Sequence, residues 1–218
     1  MCIRDRGKTV LLDQDFNIKS FKQIMEKDIY TELHEFQYLD DDTVIQIGSK
    51  THKFQNQKVE SGIISIENEQ KGTKFLWDSI DHVSPEFSKV PTKEWGMNTN
   101  DYFHMNAVRI LKDGNYLASA RHTQTIMKID KTSGKILWHM GKGKLNNFKF
   151  VNDPYDGFSH QHAPEELENG NILIWDNGID SIKDGSRVVE YKIDETNHTA
   201  TLVWSKEFKN LQANVAGN

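Results

Sequence analysis

The stretch NAVRILKDGNYLASARHTQTIMKIDKTSGKILW (residues 106–138) holds four short apolar segments separated by turn residues. NAVRIL and NYLASA flank Asp113-Gly114, a pair suited to a tight hairpin because such residues tolerate positive φ. QTIMKID (124–130) comes next, followed by Lys-Thr-Ser-Gly and a segment that ends at Trp138. Short apolar runs bounded by such residues read as strands, and four of them joined by turns make one sheet.

The unit recurs on both sides. GTKFLWDSI (72–80), GKILWHMGK (134–142) and TATLVWSKE (199–207) share a turn, an apolar strand and a tryptophan, so Trp77, Trp138 and Trp204 return at intervals of roughly sixty residues. Ahead of each lies a hairpin: LHEFQYLDDDTVIQIG (33–48), NAVRILKDGNYLASA (106–120) and HAPEELENGNILIWD (162–176). SRVVEYKID (186–194) supplies a further strand of the last unit, and FKQIMEKDIYTEL (21–33) offers the one modest helical pattern. Four-stranded units repeated in sequence build a β-propeller, in which each blade buries its faces against its neighbours. The fold expected is all-β, an incomplete propeller of about three to four blades of four-stranded antiparallel sheet, because closure takes at least four.

Composition narrows the function. Charged residues make up 27% and aromatics 10%, which suits a packed globular chain. A net charge of −5 argues against nucleic acid, whose phosphates call for a basic face. No run approaches the roughly 18–20 apolar residues of a membrane span, so no membrane partner is expected. Residues 1–6, MCIRDR, resemble a translated sequencing adapter and are expected to be a scar, with residues 7–218 a partial propeller domain cut at both ends. The single cysteine, Cys2, lies in that scar, so no thiol chemistry is expected.

Superposing the hairpins on Asp42, Gly114 and Gly170 brings His34, Asn106 and His162 to one depth, and His104 and His160 to another, two residues earlier. Residues two apart on a strand share a face, so His104 pairs with Asn106 and His160 with His162. First strands line a propeller's channel, where these side chains from successive blades converge. Arg121, in SARHTQT, follows the second strand of its hairpin and can approach the same mouth, whereas His122 alternates away and reads as structural. Asp176, Asn177 and Gly178 read as a turn beside the channel, and the three tryptophans as packing between blades.

These residues resemble those of the bacterial aryl-sulfate sulfotransferases. DYFHMN (101–106) is similar to that family's D-aromatic-x-H-x-N, and SARHTQTIMKIDKTSGKILW (119–138) to its S-x-R-H-Q strand end. QHAPEELENGNILIWDNG (161–178) is similar to its Q-H element with a following F-D-N-G. LHEFQYLDDDT (33–43) matches the upstream H-H-D less well, with Leu33 for one histidine and Glu35 for the aspartate. The resemblance implies a six-bladed propeller that moves a sulfuryl group from a phenolic sulfate ester to a phenol through a sulfohistidine, with neither nucleotide donor nor cofactor. It implies His162 as the nucleophile, with His104, Arg121 and, less closely matched, His34 around the sulfate. Asn106, His160 and Asn177 are candidate substrate-binding residues. A homodimer and a periplasmic or secreted location also follow from the resemblance.

Two other readings compete. His34, His104, His160 and His162 could hold a divalent ion in a hydrolase, since His-x-His is a ligand spacing and imidazole suits zinc. Against this, no carboxylate stands beside them in the motifs, Arg121 would repel a cation, and no metal is expected. The third reading is a non-catalytic propeller that binds partners across its face.

Overall fold

The computed structural model describes residues 7–39, 42–89, 100–183 and 185–213. The six residues read as a scar therefore lie outside the described ones, as does the end of the chain. The turn expected between Tyr38 and Thr43 is described from Asp42 onward, where the backbone is left-handed at φ 60°. Gly114 and Gly170, at φ 85° and 82°, occupy the same place in their hairpins. Each closes its turn by donating its N–H to the carbonyl three residues back, Leu111 at 2.8 Å and Leu167 at 2.9 Å. The superposition made on sequence is thus a superposition of backbone conformations.

Around these turns stand three four-stranded antiparallel meanders. The first comprises β3 (Ile29–Tyr38), β4 (Thr43–Phe54), β5 (Gln57–Asn68) and β6 (Gly72–Asp78). The second comprises β8 (Met105–Ile110), β9 (Tyr116–Ala120), β10 (Thr125–Ile129) and β11 (Ile136–Met140). The third comprises β13 (His162–Glu166), β14 (Ile172–Asp176), β15 (Gly185–Asp194) and β16 (Thr199–Lys209). Two short strands add parallel edges: β7 (Asn100–Asp101) on β5, and β12 (Lys149–Val151) on β16. A separate hairpin, β1 (Thr9–Leu12) with β2 (Ile18–Lys22), precedes them. The helical pattern at 21–33 is therefore overridden: Phe21 and Lys22 end β2, and Ile29 onward pairs with β4. Long-range strand pairing outweighs a weak local period.

The middle sheet is buried on both faces. Met127 and Ile129 of β10 and Ala118 of β9 join the core shared with the first sheet, where Ile45, Ile47 and Ile64 lie. Ile126 and Leu117, on the opposite face, join the core shared with the third sheet, with Ile174, Val189 and Tyr191. Period-two alternation sends neighbours to opposite cores. Trp77 fills the first interface, and its indole N–H donates to the Gly134 carbonyl in the second sheet's last turn at 3.0 Å. Trp138 packs edge-on against Phe148 in the second core. Trp204 departs from the expected packing role: it is 49% exposed on β16, since no described sheet lies beyond that strand.

The third sheet carries a buried ion network. Arg187 of β15 is 1% exposed and donates from Nη1 and Nη2 to Asp153 at 2.8 and 3.0 Å, and from Nε to Asp176 at 2.8 Å. Asp176 in turn accepts the backbone N–H groups of Ser159 and Gly178 at 2.9 and 2.8 Å. Burial works against charge on Asp153, yet Arg187 and the Tyr191 hydroxyl hold it below the usual carboxylate range. The network fastens the loop that leads into His160 and His162 to the strand end that carries Asn177. Replacing Arg187 with Met would leave two carboxylates buried without their cation. Denaturant unfolding of Arg187→Met should show a loss of about 3–5 kcal/mol; a loss below about 1 kcal/mol would mean that the network is solvated.

Candidate active site

The first strands β3, β8 and β13 lie side by side, and side chains tie them together. Gln37 of β3 donates to the Val108 carbonyl of β8 at 2.7 Å, and Glu35 pairs with Arg109. Asn106 of β8 donates to the Gln161 carbonyl at 2.7 Å. Gln161 returns the link, its buried amide lying 3.0–3.1 Å from Ser119 Oγ and the carbonyls of Ala120 and Thr125. These bonds put the histidines of three sheets next to one another.

His104 and His160 enter the site differently from the sequence reading. Both precede their strands in left-handed backbone, at φ 50° and 53°, so alternation along a strand does not govern them. Their matching conformations still confirm that they are equivalent positions of the repeat. The His34 ring stands edge-on to His104 at 5.3 Å, and the His122 ring lies over His104 at 4.5 Å. His122 is thus part of the cluster rather than turned away, because residues 121–124 form a turn and not a strand.

Hydrogen bonds decide which ring nitrogens carry protons. Nδ1 of His162 faces two acceptors, Asn177 Oδ1 at 2.9 Å and the His160 carbonyl at 3.2 Å. The Asn177 amide is oriented by its other end, which donates to the Ala213 carbonyl at 2.5 Å. Nδ1 of His162 must therefore be the donor, which leaves the lone pair on Nε2. His104 follows the same rule: its Nδ1 meets the Asp101 carboxylate, whose other oxygen accepts the His104 backbone N–H at 3.0 Å. Nδ1 of His122 donates to the Asp101 backbone carbonyl at 2.5 Å.

Burial pushes the His162 imidazole down to about 4, and positive charge on Arg121, His34 and His104 pushes the same way against the Asn177 bond. His160 also falls to about 4, through burial and then Arg121, partly offset by Asp180. His122 falls to about 3, chiefly through burial and then charge on His104. The His162 ring is therefore buried and neutral, with the positive charge of Arg121 acting on it.

The sequence-derived residues sort accordingly. His34, His104, Arg121 and His162 share one electrostatic neighbourhood. The amide N–H groups of Asn106 and Asn177 donate to the backbone carbonyls of Gln161 and Ala213. His160 feels Arg121 as well and also reaches toward Gln124, at 3.3 Å. On that side a cavity of about 350 Å³ is lined by Lys89, Lys142, Asn146, Asp156 and Asp180. Asp101, Gln161 and His122 were missed as functional, although Asp101 and Gln161 lie within the quoted motifs. The missing carboxylate that counted against a metal is present after all, as Asp101.

Comparisons with known proteins bear on the fold and the family. No curated protein matches the chain. A crystal structure of a protein of unknown function from Bacteroides caccae superposes with a TM-score of 0.52, at 12% identity, over 94% of this chain. That likeness concerns the fold alone, and the chain spans 54% of the length of the solved one. The arylsulfotransferase (ASST) family model matches residues 17–210. That span takes in all three sheets and every histidine of the cluster, and the chain belongs to the arylsulfotransferase (ASST) family.

Proposed function

We propose that the chain is the catalytic part of an aryl-sulfate sulfotransferase that transfers a sulfuryl group from a phenolic sulfate ester to a phenol through a sulfohistidine at His162. The observation that carries this reading is the bond from Nδ1–H of His162 to Asn177, which leaves Nε2 unprotonated in a ring on which the charge of Arg121 acts. Family membership supports a sulfotransferase-type enzyme. The three meanders are read as successive propeller blades whose first strands line a common channel.

In the first half-reaction the Nε2 lone pair attacks sulfur and the bond from sulfur to the aryl oxygen breaks. The departing phenolate takes a proton from imidazolium His104, which Asp101 orients through Nδ1. The sulfated His162 ring carries positive charge, and Asn177 Oδ1 stabilises it by accepting Nδ1–H. In the second half the acceptor phenol gives its proton to neutral His104 as its oxygen attacks sulfur. The S–N bond breaks and His162 is restored. Transfer of this kind resembles phosphoryl transfer through a loose transition state, where positioning and charge stabilisation dominate. Arg121 supplies a rigid fork of donors to the sulfuryl oxygens. His34, against His104, helps shape the anion pocket.

With full-length protein and a chromogenic aryl sulfate, His162→Asn should reduce acceptor-dependent transfer to background. Donor alone should add an acid-labile sulfuryl mass to the wild type and none to His162→Asn; an adduct on His160 would identify the wrong imidazole. Arg121→Gln should retain the adduct while losing roughly 10²–10³-fold in rate, as for an oxyanion donor. A third measurement follows loading of His162 against pH, using a donor whose leaving group needs no proton. The His162 pKa is lowered to about 4, so its neutral form persists below the ordinary value of about 6.5. Loading should therefore continue at about pH 5 and fail as pH drops through about 4. A fall centred near about 6.5 would mean that the ring is solvated.

A further inference from the structure

The imidazole two residues before the proposed nucleophile is held the opposite way round. Gln124 lies fully buried in the turn that also carries Arg121, with left-handed backbone at φ 52°. Two backbone bonds fix it there. Its N–H donates to the Arg121 carbonyl at 3.2 Å, and its own carbonyl accepts the Gly143 N–H at 3.1 Å. A Cβ on Gly143 or Gly141 would run into the carbonyl oxygens of Thr123 and Gln124, so this close approach calls for glycine.

The side-chain amide of Gln124 has one orientation. Its Oε1 accepts from Lys89 Nζ at 2.7 Å, and an ammonium only donates. Its Nε2 donates to the Asp180 carboxylate, which only accepts. The second hydrogen on Nε2 is left for Nδ1 of His160, at 3.3 Å. That ring nitrogen must accept, so His160 is neutral and holds its proton on Nε2. Burial and the charges of Arg121 and Lys89 favour the same neutral state, against Asp180. His162, whose Nδ1 donates to Asn177, holds its proton on the other side. Among the described residues nothing bonds to Nε2 of His160. The charge of Arg121 acts on both rings. An anion drawn to Arg121 is thus offered a lone pair by His162 and an N–H by His160.

We propose that Gln124 is a positioning residue that locks His160 as a neutral Nε2–H donor, and that this donor binds the sulfate oxygens of the ester alongside Arg121. The tautomer rests on geometry alone, whereas the contact with sulfate rests on the proposed function. His160 keeps its proton through both half-reactions. To attack sulfur through Nε2 it would have to carry that proton on Nδ1, setting N–H against N–H and leaving a buried amide hydrogen unpaired.

The test uses full-length protein labelled with ¹⁵N-histidine and a long-range ¹H–¹⁵N correlation spectrum, in which Nε2 is the ring nitrogen coupled to both carbon-bound protons. That nitrogen should have the shift of a protonated nitrogen in His160 and of an unprotonated one in His162. The signals are assigned by their loss in His160→Gln and His162→Asn. Gln124→Glu, which turns an acceptor toward Nδ1, should move the His160 proton to Nδ1. A folded Gln124→Glu protein with His160 unchanged overturns the role of Gln124. Should that variant fold poorly, the wild-type spectrum still decides: His160 protonated on Nδ1 overturns the proposal. In the donor-loading assay, His160→Phe should slow sulfation of His162 by roughly 10²-fold, the loss expected of one oxyanion donor. His160→Gln keeps an N–H and should recover most of that rate. Unchanged loading in His160→Phe, or an equal loss in both variants, overturns the contact with sulfate. His160 protonated on Nε2 in a protein that transfers no sulfuryl group under any condition would sink the functional reading and leave the tautomer standing.

Discussion

The buried amide of Gln161 is the contact on which the site depends. It lies between His160 and His162, yet its hydrogen bonds run to the neighbouring sheet, at Ser119, Ala120 and Thr125. Asn106 completes the link by donating to the Gln161 carbonyl. Polar groups that are fully buried hold their geometry tightly, because a broken bond there is not replaced by water. Gln161 therefore converts the packing of two sheets into a fixed relation between His162 on one and His104 with Arg121 on the other.

A second layer of bonds sets the chemical state of the rings. His104, His122 and His162 each direct Nδ1 at an oxygen acceptor, so each holds its proton on the side away from Nε2. Burial then keeps His122 and His162 neutral, and the positive charge of Arg121 adds to that effect.

The repeat is regular in backbone and uneven in side chains. The middle sheet, flanked on both faces, is apolar throughout β9 and β10 apart from small or hydrogen-bonded residues. The third sheet instead buries Arg187 between Asp153 and Asp176. A buried ion network is a poor source of net stability and a good source of fixed direction. Here it directs the loop before His160 and the strand end at Asn177, on both sides of His162.

Much of the fold was legible in the sequence. Asp113-Gly114 and Asn169-Gly170 marked turns through local backbone chemistry, and the recurring tryptophans marked the fourth strand of each unit. The alignment on those turns set His34, Asn106 and His162 at one count from the turn, and each first strand shifts register close to that residue. The helical pattern at 21–33 misled, because its residues are claimed by partners far along the chain. Tertiary structure alone decided what each side chain does at its depth. Asn106 was linked to Gln161 and Asn177 to His162 only by packing, and His122 entered the cluster through a turn that strand periodicity does not describe. Asp101 became the partner of His104 through the left-handed backbone of His104 itself, a conformation uncommon outside glycine and not visible in strand periodicity. Sequence determines local conformation and period, because those depend on neighbours along the chain. Convergence, protonation and charge depend on neighbours in space, and those exist only once the sheets have packed.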